Sequence, residues 1–450
     1  MNIHSLKFGF VLIALLAISM NAFAQGGTAG PLTWNINDGT LTISGIGEMP
    51  DYQYGPTVDD CAPWYKYQES INTVVIETGV TSIGNFAFSG CHSLTSAIIS
   101  NSVTSIRYRS FFVCGLASII IPNSVINIGE YAFSNGNLTS VTIGNSVTTI
   151  GEGAFSGSSL PSITIPNSVT AIGSGAFVSC ENLTSINVGN GNNSYSSENG
   201  VLFSKNKIAL ICYPAGKTGG YVVPNSVTII VECAFGWCKK LTSITIPNSI
   251  TTIGDWALEG CTSIASITIP NSVNSIGYAT FRDCTSLTSV MIGNSVTTIG
   301  ENAFANCISL TTITNLNPVP IAIDPNVFQE MDQSTCTLKV PFESTSAYKN
   351  APVWRYFNIV GTEVGIETIE TNAVKIYPNP TSGQLIINNA ELSPELSFGD
   401  NAEYSIFNLT GQMVLQGKLQ GETTTINVAS LPSGMYYLRI AGKAGKFVKM

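Results

Sequence analysis

The side chains best equipped for chemistry recur at fixed spacing. Cys91, Cys114, Cys180, Cys238, Cys261, Cys284 and Cys307 share one position of a repeating unit, and Glu130, Glu152 and Glu301 share another. Thiols in such a series suit metal ligation or disulfide pairing, aligned carboxylates suit calcium bridging, and a thiol beside an imidazole suits nucleophilic catalysis. Each of these chemistries meets an objection in the pattern itself. Gly136 and Ser158 stand at the thiol position in two copies, and the total of eleven cysteines is odd, so the series reads as a ladder of buried thiols. Cys61, Cys212, Cys233 and Cys336 lie off the ladder, and a bridge among them stays open. His92 directly follows Cys91, a spacing at which two side chains rarely face each other, and no third group is placed to orient the pair. The glutamates have no apolar pocket around them and read as a solvated edge. Gly189-Asn190-Gly191 and the run from Gly216 to Gly220 open no helix, so they are turns rather than phosphate cradles. The sequence therefore points to no catalytic residue, no metal and no cofactor.

These residues are positioned by a short-period repeat. An Asn-Ser-Val phrase or near variant places Val80, Val103, Val125, Val147, Val169, Val227, Ile250, Val273 and Val296 at steps of 23, 22, 22, 22, 58, 23, 23 and 23 residues. A period of 20 to 29 residues is the mark of a leucine-rich-repeat solenoid, whose units bury their apolar faces by stacking on one another. Leu241, Ile244 and Ile246 fit the inward positions of a strand, Pro247 ends it, and Asn248-Ser249 turns the chain. The following Ile250, Ile253 and Ala257-Leu258 are spaced for a short helical or extended return. Phe88, Phe111, Phe133, Phe155, Phe177, Phe235, Phe281 and Phe304, with Leu258 substituting once, predict a continuous aromatic spine in the core.

Composition narrows the class further. With 44% apolar and only 10% charged residues the chain is globular, and its formal charge of -9, with no basic patch, argues against nucleic acid as a partner. Residues 1 to 24 carry Lys7, an apolar run from Phe8 to Leu16, and Ala22-Phe23-Ala24, the pattern of a secretory signal peptide cleaved after Ala24. No later stretch approaches the roughly 20 apolar residues of a membrane-spanning helix.

Binding is then the better expectation. Ser96, Ser118, Ser140, Ser162, Ser185, Ser243, Ser266 and Ser289 recur along the strands, with Thr142, Thr164, Thr245 and Thr268 two residues on, so the strand face is a sheet of hydroxyls. Departures from the consensus are the candidates for specificity: Arg107, Tyr108, Arg109, Tyr195, Trp237 and Trp256. The two tryptophans also suit packing between copies.

The repeat, with its Ile-Pro-Asn-Ser-Ile, Ile253-Gly254, Ala-Phe or Ala-Leu and Cys261 elements, resembles that of the BspA-like leucine-rich-repeat proteins of bacterial surfaces. The likeness covers about residues 31 to 361. Leu32-Thr33-Trp34 with Ala62-Pro63-Trp64-Tyr65 is similar to that family's amino-terminal cap, Gly200 to Phe203 with Tyr213-Pro214 to its enlarged hairpin-bearing repeat, and Trp354 to Phe357 to its closing cap. A second resemblance covers residues 372 to 450. Pro378, Asn379, Pro380 and Gly383, then Leu431, Gly434 and Tyr436, then Lys449 are similar to the type A sorting domain of the type IX secretion system. Alternation over 384–388, 404–408, 412–418 and 435–440 independently predicts a small antiparallel sandwich there.

The expected organisation is a signal peptide at 1–24, a cap at 25–76, and repeats at 77–315 with an enlarged copy at about 188–224. A closing cap at 316–361, a linker at 362–371 and the sorting domain at 372–450 complete it. What the resemblances imply is a mostly β, non-enzymatic protein of a Bacteroidetes-type bacterium. It would be exported through the type IX machinery to the outer surface, and then released or held on lipopolysaccharide. There it would mediate adhesion to a host extracellular-matrix or other surface protein or glycan. A structural spacer without a ligand is the alternative.

Overall fold

The computed structural model describes residues 25–53, 60–362, 376–377, 379, 381–388, 403–408, 412–419, 423–440 and 443–450. Ala24, and Pro378 and Pro380 of the sorting motif, lie outside the described residues. The chain divides into two compact units, one ending at Thr362 and one beginning at Glu363.

The first unit is a β-solenoid of about 13 turns. On one side of each turn runs a strand such as Ser162–Ile165, parallel to Ser185–Val188 with Ser162 opposite Ser185. Ser266–Ile269, Ser289–Ile292 and Thr312–Asn315 stack in the same register further along. Because strand side chains alternate, Ile163 and Ile165 enter the core while Ser162 and Thr164 face out. A second side consists of two-residue parallel strands, Ser105–Ile106, Asn127–Ile128, Thr149–Ile150 and Ala171–Ile172, again with every isoleucine opposite the next.

The third side is neither helix nor strand, unlike the return expected from spacing. Two residues before each ladder Phe, and again two after it, the backbone turns left-handed: Arg109 (φ 51°) and Val113 (φ 55°) flank Phe111, and Trp256 (φ 49°) and Gly260 (φ 69°) flank Leu258. Two left-handed residues within five stop a right-handed helix from propagating. The backbone groups are satisfied by the next turn instead. Arg109 N–H donates to Glu130 O (3.0 Å), Phe111 N–H to Ala132 O (2.8 Å) and Val113 N–H to Ser134 O (2.9 Å).

The Phe side chains stack inside this wall, but in two runs rather than one spine. Rings from Trp64 through Phe88, Phe111, Phe133 and Phe155 to Phe177 follow at 5.1 to 6.0 Å. Tyr213 starts a second series on Phe235, and after Leu258 the series resumes from Phe281 through Phe304 to Phe328. The enlarged repeat causes the break. Its strands Tyr195–Glu198, Val201–Ser204 and Ala209–Cys212 form an antiparallel meander. Leu202 and Cys212 pack into the core before it, whereas Val201, Phe203 and Leu210 pack into the core after it.

Aromatic residues close both ends. Trp64 stacks on Phe88 and donates its Nε1–H to Ala87 O at 2.7 Å, with Trp34 and Tyr52 edge-on to it. At the other end Trp354 and Phe357 meet Phe328 edge-on, and Trp354 Nε1–H donates to Ile321 O at 2.7 Å.

Among its described residues the second unit has two antiparallel sheets, Ile376–Tyr377, Gln384–Asn388 and Thr423–Asn427 in one, and Met413–Lys418, Glu403–Asn408, Gly434–Ile440 and Lys443–Lys449 in the other. Leu385, Ile387, Ile406, Ile426, Leu438 and Phe447 form its core. Alternation located four of these strands and missed 376–377, 423–427 and 443–449.

Candidate binding surfaces

The ladder thiols are buried, and all eleven cysteines are free, so no bridge joins the four off-ladder residues. Burial pushes the thiols of Cys180, Cys212, Cys238 and Cys261 up, which keeps them protonated and unreactive. Cys114, Cys180, Cys261, Cys284 and Cys307 each direct Sγ to a Phe or Leu carbonyl of the preceding turn. Cys91 points into the core while His92 is exposed, so the two make no nucleophile and base pair.

On the strand face two kinds of hydroxyl separate. Thr95, Thr139, Thr184, Thr288 and Thr311 donate to main-chain carbonyls of the preceding turn and are structural. Ser96, Ser118, Ser140, Ser162, Ser243 and Ser266, with Thr142, Thr164, Thr245 and Thr268, are exposed and make no side-chain hydrogen bond among the described residues. Ile98 and Ile120, at 58% and 71% exposure, interrupt these columns near the amino-terminal end.

The six candidate specificity residues fall into separate groups. Arg107, Tyr108 and Arg109 come together. Arg107 pairs with Glu48 and with Asp51, at 3.2 Å from the latter, so its charge is used to tie the start of the solenoid to the third turn. Arg109 projects from its left-handed position among four rings, its guanidinium carbon 4.9 Å from the centre of Phe112, 5.0 Å from Tyr108, 5.3 Å from Tyr131 and 5.9 Å from Phe86. Distances below about 6 Å are those of cation–π attraction. The Tyr131 hydroxyl donates to Glu152, and this bond pushes its pKa up to about 12. At Tyr108 runs an open groove of about 590 Å³, lined also by Asn85, Ser105, Arg107, Asn127, Gly129 and Glu130.

The other three candidates are not part of that surface. The Tyr195 hydroxyl accepts the Ile172 N–H at 2.9 Å, standing in for the strand that the enlarged repeat displaces. Trp237 lies over Gly260, where an added Cβ would come within 2.6 Å of the indole, and Lys239 Nζ sits 5.5 Å from the Trp237 ring. Trp256 packs edge-on against Tyr278 at 5.1 Å. Both tryptophans therefore pack between neighbouring turns.

The sorting-motif residues that are described stitch the second unit closed. Asn379 donates from Nδ2 to Lys446 O and accepts from Val448 N–H, both at 2.9 Å. Tyr436 stacks on Phe447 and donates to Pro432 O at 2.8 Å, Leu431 is buried, Gly383 N–H donates to the Thr381 hydroxyl, and Gly434 opens the strand that pairs with Lys449.

Six copies of the family model described as BspA type leucine rich repeat region match residues 63–184, 104–218 and 217–335. The chain belongs to this family. Its last part, residues 375–450, matches the secretion system C-terminal sorting domain. Among solved structures, this BspA-type protein is similar to a leucine-rich repeat protein of Eubacterium ventriosum, at 28% identity and a TM-score of 0.60, covering 78% of this chain and 98% of that one. It is similar to a leucine rich cell surface protein of Faecalibacterium prausnitzii, at 27% identity and a TM-score of 0.49 over 75% and 94% of the two chains. The pneumococcal vaccine antigen PcpA is similar at 21% identity, a TM-score of 0.56 and 76% and 99% coverage, a likeness of fold alone. No curated protein matches. Repeat family and sorting domain together indicate export to the cell surface or extracellular space, with handling by type IX secretion. Such repeat proteins are generally binding scaffolds rather than enzymes.

Proposed function

We propose that this exported protein is an adhesive scaffold. Its partner is a host extracellular-matrix or other surface protein or glycan, held at the patch around Tyr108, Arg109 and Tyr131 and the adjoining groove. The observation that carries the reading is the half-exposed Arg109 among four rings beside a 590 Å³ groove. Aromatic and arginine side chains are the usual anchors of interfaces, and here Arg109 already packs on its ring neighbours in the free protein. Residues 372–450 are read as the exported signal that is removed at the surface, and residues 1–24 as the leader removed at the inner membrane. A second reading, a spacer without a ligand, draws on the uniform hydroxyl columns of the strand face.

The test is binding of the purified chain to a panel of matrix proteins, mucins and bacterial surface glycans at physiological salt. Saturable binding at micromolar affinity or tighter, weakened by roughly tenfold or more in Tyr108→Ala, is the expected result. No binding across the panel would leave the spacer reading in its place.

A further inference from the structure

Three columns of main-chain hydrogen bonds run along the third side of the solenoid. In the first, Tyr131 N–H donates to Glu152 O (2.8 Å), Gly153 N–H to Ser174 O (3.0 Å), Cys233 N–H to Asp255 O (3.0 Å) and Trp256 N–H to Tyr278 O (2.8 Å). The column breaks at the enlarged repeat. Gly175 N–H and Glu232 O, the donor and acceptor that the repeat would pair next, have no hydrogen-bond partner among the described residues. In the second column Phe177 N–H is likewise unmet, because Ala234 O is taken by Tyr213 N–H of the enlarged repeat at 2.8 Å. A cavity of about 270 Å³ lies at this break, lined on one wall by Ser174, Gly175 and Phe177 and on the other by Glu232 and Cys233. The Ser174 hydroxyl is buried beside the Cys233 thiol, its hydrogen-bonding neighbour across the break. Ile172, Ile211 and Val231 add aliphatic surface, and Gly173, Ala176 and Cys212 also line the cavity.

The repeat geometry sets the direction of these groups: donors of the earlier turn point toward the later one, and acceptors point back. The cavity thus offers N–H donors on one wall, a carbonyl acceptor on the other, and aliphatic carbon between them. That is the complement of a secondary amide carrying a methyl group. The Ser174 hydroxyl and the exposed Glu232 carboxylate add partners suited to ring hydroxyls, and Glu232 opposes an anionic ligand. The volume suits one small group, being just below the range of about 300 to 1,000 Å³ of pockets for drug-sized molecules.

We propose that the broken-ladder cavity between the Ser174–Phe177 turn and the Glu232–Cys233 turn binds the acetamido group of an N-acetylated sugar. The acetamido carbonyl accepts from Gly175 and Phe177 N–H, its N–H donates to Glu232 O, and its methyl group lies against Ile172, Ile211 and Val231. Binding is noncovalent, because burial pushes the Cys233 thiol up to about 11 and leaves it protonated at neutral pH. The site is separate from the Arg109 patch, so each stands or falls by its own variants.

Calorimetric titration of the intact chain with N-acetylglucosamine, N,N′-diacetylchitobiose, glucosamine and N-acetylalanine methylamide decides the matter. Saturable binding of both acetylated sugars is expected, with glucosamine at least roughly tenfold weaker, as a ligand lacking a partner for buried polar groups should be. Cys233→Trp should abolish binding by filling the mouth. Its fold is protected because Trp256 holds the same left-handed position one turn later (φ 49°, against 55° at Cys233). Ser174→Ala should weaken binding without altering the melting curve. Failure of the acetylated sugars to bind, equal binding of glucosamine, or binding retained in Cys233→Trp would overturn the proposal. Preference for the peptide amide would overturn it in favour of an extended peptide.

Discussion

Phe111 and Phe133 lie with their ring centres 5.2 Å apart and their planes only 5° from parallel, both buried, one turn of the solenoid separating them. Each ring is the floor for the next. Phe133→Ala is expected to cost about 3 to 5 kcal/mol, the range for a buried Phe whose cavity relaxes little. Equilibrium denaturant unfolding measures it, and a loss below about 1 kcal/mol would mean that the stack contributes little to packing.

Arg107 offers a contrast in scale. Its side chain is 28% exposed and its partners Glu48 and Asp51 are 67% and 47% exposed. Arg107→Ala should therefore destabilise by only about 0 to 1 kcal/mol, and the difference should shrink as salt is added. A melting-temperature comparison at low and high ionic strength reads this directly.

Much of this packing was legible from the period alone. Repetition marks which positions never change character, so the Phe and Cys ladders and the outward Ser/Thr columns were placed by counting. The left-handed backbone at Arg109, Tyr131 and Trp256 was not, because a period says which way a side chain faces and nothing about φ. A signal existed in the position two beyond each ladder Phe, where Gly90, Asn135, Gly157, Gly260, Asp283 and Asn306 are the types that tolerate that conformation. Tyr195 looked like a free aromatic because its partner, Ile172 N–H, is created by the insertion. The 58-residue step from Val169 to Val227 marks where the ladder must break, but no residue type distinguishes Gly175 or Glu232 from counterparts in other copies.

Alkaline pH should expose the tyrosine environments. Tyr131, bound to Glu152, and Tyr213, buried beside Cys238, are both pushed up to about 12, and burial raises Tyr52, Tyr221 and Tyr348 as well. A raised folded pKa means that the folded chain holds its proton longer than the unfolded chain. The associated stability is intact below about pH 10, the unfolded value, and is lost as pH rises through the folded value. Ultraviolet titration should show these phenols ionising together with unfolding, and Tyr131→Phe should leave the loss smaller. Ionisation of every tyrosine near pH 10 in a folded chain would contradict the assignment.

Thiol labelling should divide the cysteines sharply. Ten of the eleven are buried and Cys233 is half-buried, so a neutral-pH alkylating reagent should modify at most about one thiol per native chain and all of them in denaturant. Rapid labelling of several native thiols would mean that the ladder opens readily.

Adhesion by displayed protein tests the central reading most directly. Cells exporting the wild type and cells exporting Tyr108→Ala, matched for surface amount by antibody, are compared for attachment to immobilised matrix proteins, mucins and surface glycans. Wild-type cells are expected to attach saturably, with attachment competed by purified protein and sharply reduced in the variant. Equal attachment by the two strains, or protein confined to the periplasm, would contradict the account.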